Sequence, residues 1–225
     1  MQELISDLPN WIDILLKGLI QTLQMVIPST IFAYIMGLPL GILITITKPD
    51  GIKSKPVFNS ILGWVINMMR SIPFIILLVA LIPTTKQVMG TSIGTKSMIF
   101  PLFIGLSPFV ARMVETSLEE VDAGLIEASR AMGTTTLQLV TKVIIPEAIP
   151  SLIRGFSISM ITIIGYSALA GTVGGGGLGD IAIMYGYRRY QTNVMIYTIV
   201  ILVLVVQIIQ STFNLIARKI DKRNK

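Results

Sequence analysis

The chain has 225 residues, of which 52% are hydrophobic and 13% charged, and its mean hydropathy is +0.77. A soluble domain carries about 25% charged residues, so a water-facing surface of this size is excluded and the unit of organisation becomes the membrane-spanning helix. With no cysteine and no histidine, a disulfide framework, a thiolate zinc site, a thiol nucleophile and a histidine general base are excluded too. A metal site built from carboxylates alone gains no support. The net charge of +6 is read as positive loops holding the cytoplasmic side of a bilayer, not as the footprint of a nucleic-acid binder.

The N-terminus opens with Glu3, Asp7 and Asp13, unlike the basic start of a cleavable signal peptide. A membrane helix needs about 20 mainly apolar residues, and the gaps between charges predict five spans, at 18–47, 57–83, 97–114, 155–173 and 193–217. The second holds one charge, Arg70, and the third is shorter and contains Pro101 and Pro108. Lys48, Lys53 and Lys55 follow the first span, Arg130, Lys142 and Arg154 lie between the third and fourth, and Arg218, Lys219, Lys222, Arg223 and Lys225 follow the fifth. Lys17, Lys86, Lys96, Arg188 and Arg189 fall on the opposite face. This bias predicts a multi-pass protein with an external N-terminus and a cytoplasmic C-terminus.

The cytoplasmic segment 116–154 is the long connection, and its pattern is helix, turn, helix. Ser117 and Glu120 have the spacing of a capping box, and Leu125, Ala128 and Met132 recur at helical spacing behind them. Gly133 breaks the pattern, and Thr134, Thr135 and Thr136 supply an N-cap for a second helix. Leu137, Val140 and Ile144 line one face of that helix, and Pro146 marks its end.

This segment, EASRAMGTTTLQLVTKVIIPEAIP, resembles the cytoplasmic EAA loop of bacterial ABC importer permeases. Glu127, Ala128, Gly133, Val143, Ile145 and Pro146 occupy the family's positions, with Ser129 in place of its second alanine. RSIPFIILLVALIP in the second span and AGTVGGGGLGDIAIMYGYRRY after the fourth are similar to permeases of the methionine uptake class. The resemblance implies an all-α, polytopic type I permease fold of five membrane helices forming one domain over 1–225, without catalytic residues. Glu127, Ala128, Ser129, Gly133 and Pro146 would form the set that couples to a separate cytoplasmic ATPase, which binds the ATP and Mg. No Walker A sequence occurs in the chain. An extracytoplasmic binding protein would deliver the substrate, and two copies would enclose a route that alternates between outward-open and inward-open states.

Within the membrane, Arg70 has two readings, a functional intramembrane charge or an interfacial arginine after an amphipathic stretch, with the true span starting near Ser71. The second is preferred. The fourth span carries Ser157, Ser159, Thr162, Gly165, Tyr166, Ser167 and Thr172, residue types that suit close helix packing. Met160, Tyr166 and Ser167 are its candidates for lining the pathway. Gly174, Gly175, Gly176 and Gly177 form either an external gate or a tight turn required by packing. Gly174, Gly176 and Gly179 also satisfy G-x-G-x-x-G, but a membrane span precedes them where the dinucleotide fingerprint needs a strand. The GLGD at Gly177–Asp180 mimics an intramembrane aspartyl protease, whose chemistry needs a second carboxylate in the site. The alternatives to a methionine importer are an importer of another amino acid or a short peptide, an ATP-independent channel, and that protease.

Overall fold

The computed structural model describes residues 2–221. Lys222, Arg223 and Lys225 lie outside the described residues, as do the side chains of Glu3 and Asp7. Among the described residues all regular structure is helical. The helices are α1 (Gln2–Thr47), α2 (Pro56–Ser71), α3 (Phe74–Ala80), α4 (Ile82–Met89), α5 (Thr95–Glu119), α6 (Ala123–Ala131), α7 (Thr136–Leu139), α8 (Ile145–Gly171), α9 (Gly177–Ile181) and α10 (Thr192–Ile220), with π-helical turns at Val140–Ile144 and Ala182–Tyr187. Four continuous stretches, Trp11–Thr47, Thr95–Glu119, Thr136–Gly171 and Thr192–Ile220, are long and apolar enough to cross a membrane. A fifth is formed if α2 and α3 count as one span, bent by 94° at the break between them.

Three local features differ from the sequence pattern. The helix after Gly133 does not stop at Pro146. A π turn over Val140–Ile144 carries α7 into α8, with the Ile145 N–H donating to Val140 O, so Pro146 lies within the continuous helix Thr136–Gly171, directly after that wider turn. The capping box at Ser117 and Glu120 does not form, because α5 runs on through Ser117 to Glu119. Ser117 is buried there, its hydroxyl accepting from Ser151 Oγ at 3.2 Å. Asp122 caps α6 instead, accepting from the Leu125 N–H at 3.1 Å. Finally, Pro73 does not sit inside a continuous second span. It holds the N-cap position of α3 at φ −56° and ψ 131°, and a proline also disfavours helical geometry at the preceding residue.

The chain packs as two compact units. The first combines the chain up to Phe32, Ile72–Leu106 and Met160–Ile209. Its core joins Leu15, Leu178, Ile181, Val194 and Tyr197, with Trp11 meeting the Tyr185 ring edge-on at 5.2 Å. The second combines Ala33–Ser71, Ser107–Ser159 and the chain from Gln210. Ile44, Ile66 and Ala111 centre one of its clusters, and the Phe156 ring meets those of Tyr34 and Phe213 in tilted contacts with centroids 5.0 and 5.1 Å away. In this unit α1 and α5 approach backbone to backbone. A Cβ on Gly37 would lie 2.6 Å from Val110 Cγ1, and one on Gly41 would lie 2.6 Å from Ala111 O. Small residues of this kind let helices pack where lipid supplies no hydrophobic drive. Large side chains such as Ile35 and Ile208 are more than 60% exposed, as a lipid-facing surface requires.

The α1–α5 contact carries a direct expectation. Gly41→Leu costs about 1–3 kcal/mol of overpacking and lowers the melting temperature of the purified protein in detergent. Gly165→Leu, at a position where an added Cβ meets nothing within 4 Å, leaves it unchanged. Equal melting temperatures for the two variants would remove the α1–α5 contact as a determinant of stability.

Candidate functional site

The segment from Asp122 to Ile144 lies wholly in the second unit. Aspartate at the N-cap opens α6, and Gly133 closes it with φ +78°, a left-handed conformation that side chains with a Cβ disfavour. The Gly133 N–H donates to Arg130 O at 2.9 Å and the Thr134 hydroxyl donates to Ser129 O at 2.8 Å, which satisfies carbonyls at the helix end. Thr135 then caps α7 with a full capping box: its hydroxyl accepts from the Gln138 N–H at 3.3 Å, and Gln138 Oε1 accepts from the Thr135 N–H at 2.9 Å.

The result is a short hairpin whose tip is apolar and exposed. Met132 is 77% and Leu137 73% exposed, and Leu125 is also exposed. The sequence pattern puts Leu137 on one face with Val140 and Ile144, but only the latter two are buried, with Leu139 as their neighbour. Bulky apolar groups held at the tip of a capped hairpin suit a partner surface better than solvent.

The residues of the coupling set are spread around this hairpin. Glu127 and Ala128 are exposed. Ser129 is buried, its hydroxyl donating to Leu125 O at 2.8 Å. Pro146 and Ser129 share the lining of a cavity of about 490 Å³ with Leu125, Lys142, Glu147 and Asp221. Glu127 lines a second cleft of about 370 Å³ with Lys48, Glu119 and Arg130. Gly133 has open space around it, so its requirement is conformational and not one of close approach.

The candidate pathway and gate residues all belong to the first unit. Met160 and Ser167 are buried, and the Ser167 hydroxyl donates to Ile164 O of its own helix at 2.8 Å. Tyr166 is half-buried, its ring stacked flat on Phe74 with centroids 4.2 Å apart. The glycine run is a hydrogen-bonded turn. Gly174, Gly176 and Gly177 have φ of +85°, +76° and +86°. Gly174 O accepts from the Gly94 N–H at 2.9 Å, Gln21 Oε1 from the Gly177 N–H at 3.0 Å, and Thr22 Oγ1 from the Leu178 N–H at 2.9 Å. A Cβ on Gly177 would lie 2.8 Å from Thr22 Oγ1. Just beyond, burial pushes the Asp180 carboxyl up from its usual range, with Arg188 acting in the opposite sense.

Sequence reasoning missed an ionic network in the second unit, formed by Lys48, Arg112, Glu115 and Glu119. The i, i+3 spacing of Arg112 and Glu115 was its available signal. It also missed Gln21 and Thr22, since nothing local marks a side chain that satisfies a turn more than 150 residues away.

Residues 37–225 match the family model described as binding-protein-dependent transport system inner membrane component. A probable D-methionine transport system permease protein of Vibrio cholerae is 47% identical over 211 residues, 94% of each chain. The D-methionine transport system permease protein of Salmonella typhimurium is 48% identical over 166 residues, 74% of this chain and 76% of its own. Among solved structures, one described as an inward-facing conformation of the MetNI methionine ABC transporter superposes with a TM-score of 0.93 at 45% identity, covering 95% of this chain and 99% of that one. This similarity extends well beyond the Glu127–Pro146 segment, and the chain belongs to the family of binding-protein-dependent transport system inner membrane components.

Proposed function

We propose that this chain is the permease subunit of an ATP-driven ABC importer that carries methionine across the bacterial cytoplasmic membrane by alternating access. It acts as a homodimer, with cytoplasmic ATPase subunits that bind ATP and Mg and an extracytoplasmic binding protein that supplies the substrate. It is not itself an enzyme. The observation that carries this reading is the hairpin from Asp122 to Leu139. It is capped at both helices, turned by a left-handed Gly133 and tipped with exposed Met132 and Leu137. A hairpin stiffened in this way transmits a push, and its apolar tip gives an ATPase groove something to hold. Gly133 sets the turn, Glu127 and Ala128 stand exposed on α6, and Ser129 and Pro146 join the hairpin to the start of α8. The naming of the substrate rests on the relatives, described as D-methionine permeases, and on the methionine transporter with the matching structure.

The chain works as one permease domain, with 116–154 as its coupling segment. An external N-terminus and a cytoplasmic C-terminus are supported by how charge divides between the units. Lys48, Lys53, Lys55, Arg130, Lys142, Arg154, Arg218 and Lys219 fall in the second unit, and Lys17, Lys86, Lys96, Arg188 and Arg189 in the first. A positive-inside bias then favours the cytoplasmic face for the basic connections of the second unit. In the other unit, the stacked pair Phe74 and Tyr166 is a natural constriction on the route beside Met160 and Ser167. The turn at Gly174, Gly175, Gly176 and Gly177, tied to α1 through Gln21 and Thr22, is the candidate gate.

Vesicles holding the chain, its ATPase and its binding protein are expected to accumulate labelled methionine when ATP is supplied. Accumulation no greater than in the ATP-free control would refute methionine as the substrate. A second expectation concerns the hairpin. Gly133→Val forces a β-branched residue toward left-handed geometry, at about 1–2 kcal/mol, and lowers the methionine transported per ATP hydrolysed. Gly133→Asn tolerates that geometry and retains more of it. Normal uptake per ATP by the valine variant would contradict the coupling role.

A further inference from the structure

Within the second unit, α2 is held by few contacts. Of its 16 residues only Ile66 is buried, against Ile44 of α1 and Ala111 of α5. Val57, Ile61, Trp64 and Met68 are all exposed. An element with so little buried surface belongs to the readily displaced part of a structure, and its remaining ties decide what it moves with. Near its start, Asn59 Nδ2 donates to Ile44 O at 2.7 Å. One turn further on, Arg112 of α5 donates from Nη2 to Gly63 O at 3.1 Å.

The aim of Arg112 is fixed from behind. Its Nη1 donates to Glu115 Oε2 at 2.6 Å. Glu115 is 7% exposed, and its other oxygen lies 3.4 Å from Lys48 Nζ. Lys48 also pairs with Glu119. Exposed ion pairs contribute little, but a buried carboxylate between two cations has no water to replace a lost partner, so the guanidinium stays directed at α2. Gly63 permits the approach, since a Cβ there would lie 3.3 Å from Arg112 Nη2. The connection from α1 to α2 is gripped at a second point by Arg130 of α6, whose Nη2 donates to Ile52 O at 3.1 Å. Both guanidinium groups bind backbone carbonyls, one just before α2 and one within it, and both come from the stretch of chain that ends in the hairpin.

We infer that Arg112, aimed by Glu115 and Lys48, is a positioning residue of the transport cycle: it ties α2 to α5 through the Gly63 carbonyl, so that movement of the hairpin on its ATPase is passed to α2 and the bend that follows it. This rests on the reading of the hairpin as the ATPase-coupling segment.

The chain contains no cysteine, so Met68→Cys places a single thiol on the exposed face of α2. Its rate of maleimide labelling is measured in the membrane-reconstituted complex with the ATPase, with and without a non-hydrolysable ATP analogue. The nucleotide is expected to change that rate in the Met68→Cys protein. The change is expected to disappear when Arg112→Gln or Glu115→Gln is added, and to shrink with Gly63→Val, while the ATPase still co-purifies. If Met68→Cys alone shows no nucleotide response, this inference is overturned, while the coupling reading stands or falls on uptake per ATP in Gly133→Val. If Met68→Cys responds and Arg112→Gln responds equally, the inference is overturned and the coupling reading stands. If Arg112→Gln does not assemble, Gly63→Val decides, an undiminished response overturning the inference. A purely packing role for Arg112 would lower assembly and leave the labelling change of the assembled complex intact.

Discussion

Inside a bilayer, a backbone N–H or C=O has no water to bond with, and each one left unpaired costs several kcal/mol. Most of what this chain does follows from that constraint. It accounts for a described structure whose regular elements are all helical, and for serine and threonine hydroxyls that fold back on carbonyls of their own helices, as at Thr30, Ser159 and Thr198. It also explains the turn after α8, where Gln21 and Thr22 of α1 accept from the backbone of Gly177 and Leu178. A turn that could hydrate itself in water is completed here by side chains from the far end of the sequence.

The same constraint governs charge. Arg112 is not left alone in an apolar surrounding but is paired with Glu115, whose other oxygen faces Lys48, and its second nitrogen is given to a carbonyl of α2. Arg70, at the end of α2, lies 6.0 Å from the face of Phe109, a cation–π contact. That position, in the last turn of α2 just before the bend, fits the interfacial reading of Arg70. It arises because Pro73 interrupts the helix there, and a new apolar helix starts at Phe74.

The second unit sets one firmly capped element beside one that buries little. The hairpin is stiff because three independent devices end its helices: Asp122, the left-handed Gly133 and the Thr135–Gln138 capping box. Helix α2 is loose because its side chains find few neighbours in their unit. Between them, Arg112 of α5 bonds the Gly63 carbonyl within α2, and Arg130 of α6 bonds the Ile52 carbonyl in the connection that leads into α2.

The sequence alone determined the membrane class, the approximate placing of the apolar helices and the helix–turn–helix register from Glu127 to Pro146. These depend on local properties, namely charge-free length, helical spacing and the conformational freedom of Gly133. It misjudged local features whose outcome depends on distant partners. Ser117 has the spacing of a cap, yet α5 continues past it, because its hydroxyl meets Ser151 in the interior. Pro146 reads as a stop, yet a π turn carries the helix through. Leu137 reads as sharing a face with Val140 and Ile144, yet it is exposed while they are buried. The Arg112–Glu115–Lys48 network, the support of the glycine turn by Gln21 and Thr22, and the loose seating of α2 were decided only by tertiary structure. Each depends on residues far apart in the chain, such as Lys48 meeting Glu115 or Gln21 meeting Gly177, and no local pattern reports which distant group will be there.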